Sequence, residues 1–258
     1  MAAYTTIDDS EAYFQTVIYT GGQSGGGMKT QAVTFDGEND MSPNMVWIKS
    51  RSNTYNHVLA DSVRGVDEIL HPNTTAAALD GVADSSGGVS IFGSNGFTAA
   101  GNDVAWGAES PSTYVAWCWK ESATAGLDIV TWTGNATNRD ITHNLGVAPL
   151  MVIIKNKSTT VNWSVSHQPL SASLGDYSRH ITLDSTAAIS GINNVQYQDA
   201  AFTSSVFKVG TGDTTNKNTD AFVGYIFAPV QGFSKFGTYE GNGNADGAFV
   251  YTGFRPAF

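Results

Sequence analysis

The chain has 258 residues and a formal net charge of −10, with 14% charged and 11% aromatic residues, 28 glycines and only 7 prolines. That length suits two hydrophobic cores, and a chain rich in Gly, Thr, Val, Ser and Asn builds short strands joined by polar turns, leaving helix a minor component. The negative field, with no Lys/Arg cluster, argues against nucleic-acid partners, and the absence of any run of about 18 apolar residues, or of a basic leader before an apolar one, argues against membrane insertion and for synthesis in a cytoplasm.

Phe14 to Tyr19 opens the chain as a strand and runs into a glycine-rich turn. The apolar run Val46-Trp47-Ile48-Lys49, behind Pro43, predicts a central strand buried on both faces. His57 to Val63 reads as a further strand. The span Val58 to Leu70 also fits an amphipathic helix through Leu59, Val63, Val66 and Leu70, with Gly65 weakening that reading. Tyr114 to Trp119 follows, carrying the single cysteine, Cys118, as a small buried hydrophobe. One cysteine excludes an internal disulfide framework and a cysteine-based zinc site. Gly126 to Trp132, Val152 to Lys155, Trp163 to His167, Arg179 to Leu183 and Phe222 to Phe227 complete the set of predicted strands.

The strands recur. Ser42-Pro43-Asn44-Met45-Val46-Trp47-Ile48-Lys49 is answered by Ala148-Pro149-Leu150-Met151-Val152-Ile153-Ile154-Lys155, and Arg255-Pro256-Ala257-Phe258 begins a third copy. Tyr19-Thr20-Gly21, Trp132-Thr133-Gly134 and Tyr239-Glu240-Gly241 mark the opening strands, and Tyr114 to Trp119 and Phe222 to Phe227 the closing ones, at a step of roughly 107 residues. About seven short strands per step fits a β-sandwich better than a propeller blade or solenoid turn.

Several of these strings carry a resemblance. Pro-x-x-Val-Trp-Ile-Lys, Asp61-Ser62-Val63-Arg64-Gly65, Asn73-Thr74-Thr75-Ala76-Ala77, Ser94-Asn95-Gly96-Phe97 and Tyr114-Val115-Ala116-Trp117-Cys118-Trp119-Lys120 resemble an uncharacterised repeat domain of virion proteins from marine and other aquatic tailed phages. The first unit carries nearly the whole pattern; in the second, Ser166-His167-Gln168-Pro169-Leu170 replaces the Asp-Ser-Val-Arg-Gly loop. The resemblance implies tail-fibre, tail-associated or head-surface components with concanavalin-like sandwich units, and it brings no catalytic residues. The expected fold is therefore all-β: two tandem antiparallel sandwiches of jelly-roll or concanavalin-like type over 1–121 and 122–232, from an internal duplication, with a partial third repeat or assembly tail over 233–258.

No constellation points to catalysis. Gly22-Gln23-Ser24-Gly25-Gly26 spells a nucleophile elbow but has no predicted helix after it. His57, His71, His143, His167 and His180 lack metal-ligand spacing. Asp61, Asp67 and Glu68 have no counterparts in the second unit, and Asp61 is expected to accept hydrogen bonds from Arg64 or from turn amides. Asp36-Gly37-Glu38-Asn39-Asp40 and Asn242-Gly243-Asn244-Ala245-Asp246-Gly247 read as tight turns, with calcium the one ion their oxygens leave open. Trp106, in a polar loop, is the candidate glycan contact, whereas Trp47, Trp117, Trp119, Trp132 and Trp163 sit at strand positions and are expected in cores.

The expected function is a non-enzymatic virion structural protein of the tail or capsid surface, serving assembly and host attachment. Its partners would be other virion proteins, further copies of itself and a host surface glycan. A carbohydrate-binding module without catalysis is the alternative, and a polysaccharide depolymerase the weaker rival. Phe236, Tyr239, Phe249, Tyr251, Phe254 and Phe258 are the candidate assembly strand, because alternating aromatics need a sheet to bury them.

Overall fold

A computed structural model describes residues 5–66, 68–80, 87–102 and 104–256. Asp67 and Phe258, both singled out above, lie outside the described residues. The first half runs through Phe14–Thr20 (β1), Lys29–Thr34 (β2), Met45–Ser50 (β3), Val58–Asp61 (β4), Glu68–Leu70 (β5), Leu79–Asp80 (β6), Gly87–Gly93 (β7), Gly96–Gly101 (β8) and Thr113–Trp119 (β9), with a 3-10 turn at Val104–Trp106. The second half has Leu127–Thr133 (β10), Arg139–Thr142 (β11), Met151–Asn156 (β12), Ser164–His167 (β13), the six-residue helix Gln168–Ser173 (α1), Ile181–Thr182 (β14), Val206–Val209 (β15) and Ala221–Phe227 (β16). The chain is nearly all β, and every pairing between named strands is antiparallel.

The two halves share one strand order. The first builds a large sheet β1-β9-β3-β4-β5-β6 and a small one β2-β8-β7; the second builds β10-β16-β12-β13-β14 and β11-β15. In each, the opening strand pairs with the closing strand and the closing strand with the third. Tyr19 and Ser50 flank Tyr114 as Trp132 and Asn156 flank Phe222. The alternation of side chains then sorts each strand between two faces. Val46, Ile48, Ala60, Tyr114, Ala116 and Cys118 meet Val33, Val89, Phe97 and Ala99 of the small sheet in the first core. Val152, Ile154, Phe222 and Ile226 meet Ile141, Phe207 and Val209 in the second.

The opposite faces of the two large sheets meet each other. Met45, Leu59 and Leu70 of the first half pack on Leu127, Ile129, Trp163, Val223 and Tyr225 of the second, forming a third core. The protein is thus four layers of sheet, small, large, large and small, with the two sandwiches back to back. Residues 120–126 connect β9 to β10, and each half buries part of its apolar surface only against the other.

Polar bonds lock this junction. Trp163 Nε1 donates to His71 O at 3.1 Å, Lys155 Nζ to Thr75 O at 2.9 Å, and Ala78 N to Lys157 O at 3.0 Å. Trp163 could not bury an indole N–H without such an acceptor.

The structure decides the Val58 to Leu70 span in favour of strands: β4 and β5 are joined by the Asp61-Ser62-Val63-Arg64-Gly65 turn, where Gly65 has φ of +112°. Val63 and Val66, part of the helical stripe, are exposed. In the second half the replaced loop becomes α1. Both loops nonetheless use one device: Asp61 Oδ1 accepts from Arg64 N at 2.8 Å, and His167 Nδ1 from Leu170 N at 3.3 Å, each three residues on. The residues 233–256 form no strand, only an isolated bridge between Val230 and Ser234. Phe236, Tyr239, Phe249, Tyr251 and Phe254 therefore lie on irregular backbone, and no sheet among the described residues takes them in.

Candidate functional site

The two large sheets splay apart over β1 and β9. The buried residues of the third core on the first sheet come from β3, β4 and β5, and β9 reaches that core only at its margin through Trp119, so the same face of β1 and β9 is covered less completely by the second sheet. A cleft of about 870 Å³ opens there, within the size range of ligand sites.

Its floor follows from strand alternation. Residues one step from the Tyr114-Ala116-Cys118 core row must face the other way, which places Trp117 and Trp119 in the cleft. Cross-strand pairing then sets Thr16, Trp117 and Trp47 in one row and Phe14, Trp119 and Met45 in the next. Adjacent strands lie about 4.8 Å apart, so Trp117 and Trp47 are immediate neighbours. Phe14 and Trp119 rings stand 5.0 Å apart at 49°. Trp47 is oriented by His57, whose Nδ1 accepts from the indole Nε1 at 2.8 Å while the rings meet edge to face. That bond leaves the imidazole proton on Nε2, and burial, helped by Lys49 and His71, pushes the His57 pKa down, which favours the neutral ring.

The facing wall belongs to the second sheet, through Met151, Ile153 and Phe227, and the C-terminal segment closes the third side with Phe233, Phe236 and Phe254. Phe236 rests 6.3 Å from Phe227, and Phe233 stands edge to face with Tyr13. Polar groups sit at the rim: Glu11 and Asp36 against Lys120, Lys235 and Arg255. Two carboxylates against three cations leave one positive charge over at the cleft, in a chain whose formal net charge is −10.

A second polar cluster lies inside the junction. Asp61 is buried and accepts from Arg64 Nε and from the Tyr225 hydroxyl, the latter at 2.7 Å. Burial holds the Tyr225 phenol well above its usual pKa, so it remains a donor. Glu121 shares a hydrogen bond with Asp128 and accepts from Ile129 N at 3.0 Å. Burial, with Asp128 and Asp61 nearby, raises Glu121 to about 7. Tyr225 also reaches the cleft wall, whereas Asp61, Arg64, Glu121 and Asp128 do not line it; the cluster joins the two sandwiches, which is a structural role.

The remaining candidate residues are distributed as follows. Trp106 packs its ring against the first core and lies 5.6 Å from the His71 ring, outside the cleft. Trp132 and Trp163 are buried, as expected, but Trp47, Trp117 and Trp119 are half-buried and line the cleft instead of filling a core. Alternation could have found Trp117 and Trp119; the splay of the sheets could not be read. Ser24 is exposed in its turn with strand β2 after it, and Cys118 is fully buried, its thiol pushed up by desolvation. No group of three or more acidic, histidine or cysteine side chains suited to a metal occurs among the described residues, and no helix there is long and apolar enough to cross a membrane.

Fold and site together define an all-β double sandwich with an aromatic cleft at the junction. The chain belongs to the family described as a domain of unknown function, DUF7483, which matches residues 9–258. That single match takes in both sandwiches and the C-terminal segment. Comparison with curated proteins and with solved structures found no match.

Proposed function

We propose that this chain is a non-enzymatic structural protein of a virion surface, on the tail or the capsid, that assembles with other virion proteins and with copies of itself through its C-terminal segment. The observation that carries assembly is the state of one aromatic position. Tyr19 stacks on Tyr114 at 5.3 Å and 24°, and Trp132 on Phe222 at 5.4 Å and 11°, each opening-strand ring lying against its closing strand. Tyr239, which follows the same sequence landmark, is 72% exposed, and Phe249 and Tyr251 beside it are 89% and 70% exposed. Large apolar side chains clustered in water mark interaction surfaces.

The virion setting rests on the sequence resemblance to phage virion proteins. Two sandwiches locked through a shared core also suit a rigid surface component better than a hinged one. Light scattering on the eluting full-length chain tests the assembly. Oligomers are expected for the native sequence and loss of them for the triple variant Tyr239→Ser, Phe249→Ser, Tyr251→Ser; a native chain that runs as a monomer at all concentrations overturns self-assembly.

A further inference from the structure

The cleft has a chemistry of its own that assembly does not use. Its floor is a flat sheet face on which Trp117 and Trp47 are cross-strand neighbours, with Trp119 and Phe14 in the next row. Three features restrict what such a surface can hold. The floor offers aromatic faces of indole size, which stack on flat apolar surfaces. Its edge offers hydrogen-bonding groups of both kinds, among them His57, Thr16, Ser234 and Glu11. The charges lining the cleft leave only one positive charge over, and the chain as a whole is at −10, so an anionic polymer gains little on approach.

An aliphatic chain would use the aromatic floor alone and gain nothing from the hydrogen-bonding groups at its edge, which are exposed or half-buried. A sugar ring has one apolar face of C–H groups and a girdle of hydroxyls that both donate and accept. We infer that the cleft is a binding site for uncharged glycans, with pyranose rings stacked on Trp117 and Trp47 and their hydroxyls bonded along the His57 edge. The orienting bond from Trp47 Nε1 to His57 Nδ1 serves this site directly: it fixes the indole plane and leaves the imidazole Nε2–H as a donor. Trp47 and Trp119 also pack against the third core, whereas Trp117 belongs to none of the three core clusters. Trp117 is therefore the ring to change first, with the fold of the variant measured alongside its binding.

The C-terminal segment walls this cleft and also carries the proposed assembly surface, but through different side chains: Tyr239, Phe249 and Tyr251 do not line the cleft, so variants at those three residues and at Trp117 separate the failure of one proposal from that of the other. The test is an array of uncharged oligosaccharides probed with the full-length chain, followed by titration of the retained sugars by intrinsic tryptophan fluorescence. Native protein should bind a subset of uncharged glycans. Trp117→Ala should weaken binding about tenfold or more, the loss of roughly one ring stack, with an unchanged circular dichroism spectrum and unfolding midpoint. Trp106→Ala should bind as the native chain does. No binding to any uncharged glycan overturns the proposal, as does binding that survives Trp117→Ala or binding confined to sulfated or acidic glycans. If Trp117→Ala unfolds, Trp117→Phe, which keeps a smaller ring, decides in its place: it must weaken binding while the fold is kept.

Discussion

Tyr225, on the closing strand of the second sandwich, donates its hydroxyl hydrogen to Oδ2 of Asp61, at the turn of the first, over 2.7 Å, with both side chains out of water. The same carboxylate also accepts from Arg64 Nε. One buried anion therefore ties the Asp61-Ser62-Val63-Arg64-Gly65 turn to the other half of the molecule. Tyr225→Phe removes one bond to a charged acceptor and is expected to cost about 1.5–3 kcal/mol. Asp61→Ala strands the Arg64 side chain, itself fully buried, and is expected to cost about 3–5 kcal/mol. Urea unfolding measures both; equal, small losses would separate the turn from the junction.

Glu121 supplies a pH dependence whose sign can be worked out. Its folded pKa, about 7, lies above its ordinary 4.5, so between those values the native state holds a proton that the unfolded chain has released. The contribution of Glu121 to stability is therefore fully present below about 4.5 and is lost as pH rises towards 7. Unfolding midpoints of native and Glu121→Gln protein, compared across that window, should show the native slope and a flatter one for the amide. Identical slopes would place the proton elsewhere.

Lys155 acts in the opposite direction. Its ammonium is buried under two carbonyl acceptors, Thr75 O and Val161 O, and desolvation lowers its pKa from 10.5 to about 8. The unfolded chain binds that proton more tightly, so Lys155 adds stability as pH rises from 8 towards 10. The stability difference between native and Lys155→Met protein should shift in favour of the native chain over that range. A difference that does not change with pH would mean the ammonium is better solvated than its burial implies.

Gly96 ends the hairpin between β7 and β8 with φ of +124°, and a Cβ there would overlap the Val33 carbonyl of β2. Gly96→Ala should cost about 2 kcal/mol or more, since strain and overlap act together. Thermal unfolding shows this directly. A neutral substitution would mean that β2 and β8 can move apart.

Much of the architecture was legible in the chain. The repeated Pro-x-Met-Val runs and the aromatic opening and closing strands located the large sheets, because β-branched and aromatic runs act locally. The strand reading of Val58 to Leu70 came down to Gly65, whose positive φ a helix would not accept. What stayed hidden depends on the third core. Trp47, Trp117 and Trp119 read as core residues because their strand is buried on its other face, and only the splay of two distant sheets leaves them half open. The Tyr225 to Asp61 bond spans 164 positions of sequence, and nothing local to either residue foretells the other. Residues 233–258 read as a partial repeat or assembly strand from their alternating aromatics; over 233–256 there is no strand, since alternation cannot form one without a neighbour to pair with.

The claim that joins these findings is that the chain is a surface component of a virion. Electron microscopy of purified particles, with antibody against this chain and a reconstruction at the labelled positions, tests it most directly. The account predicts label on the outer surface of tail or capsid, over density that fits two sandwiches packed back to back. Particles that carry no label, or density that places the chain inside, would contradict it.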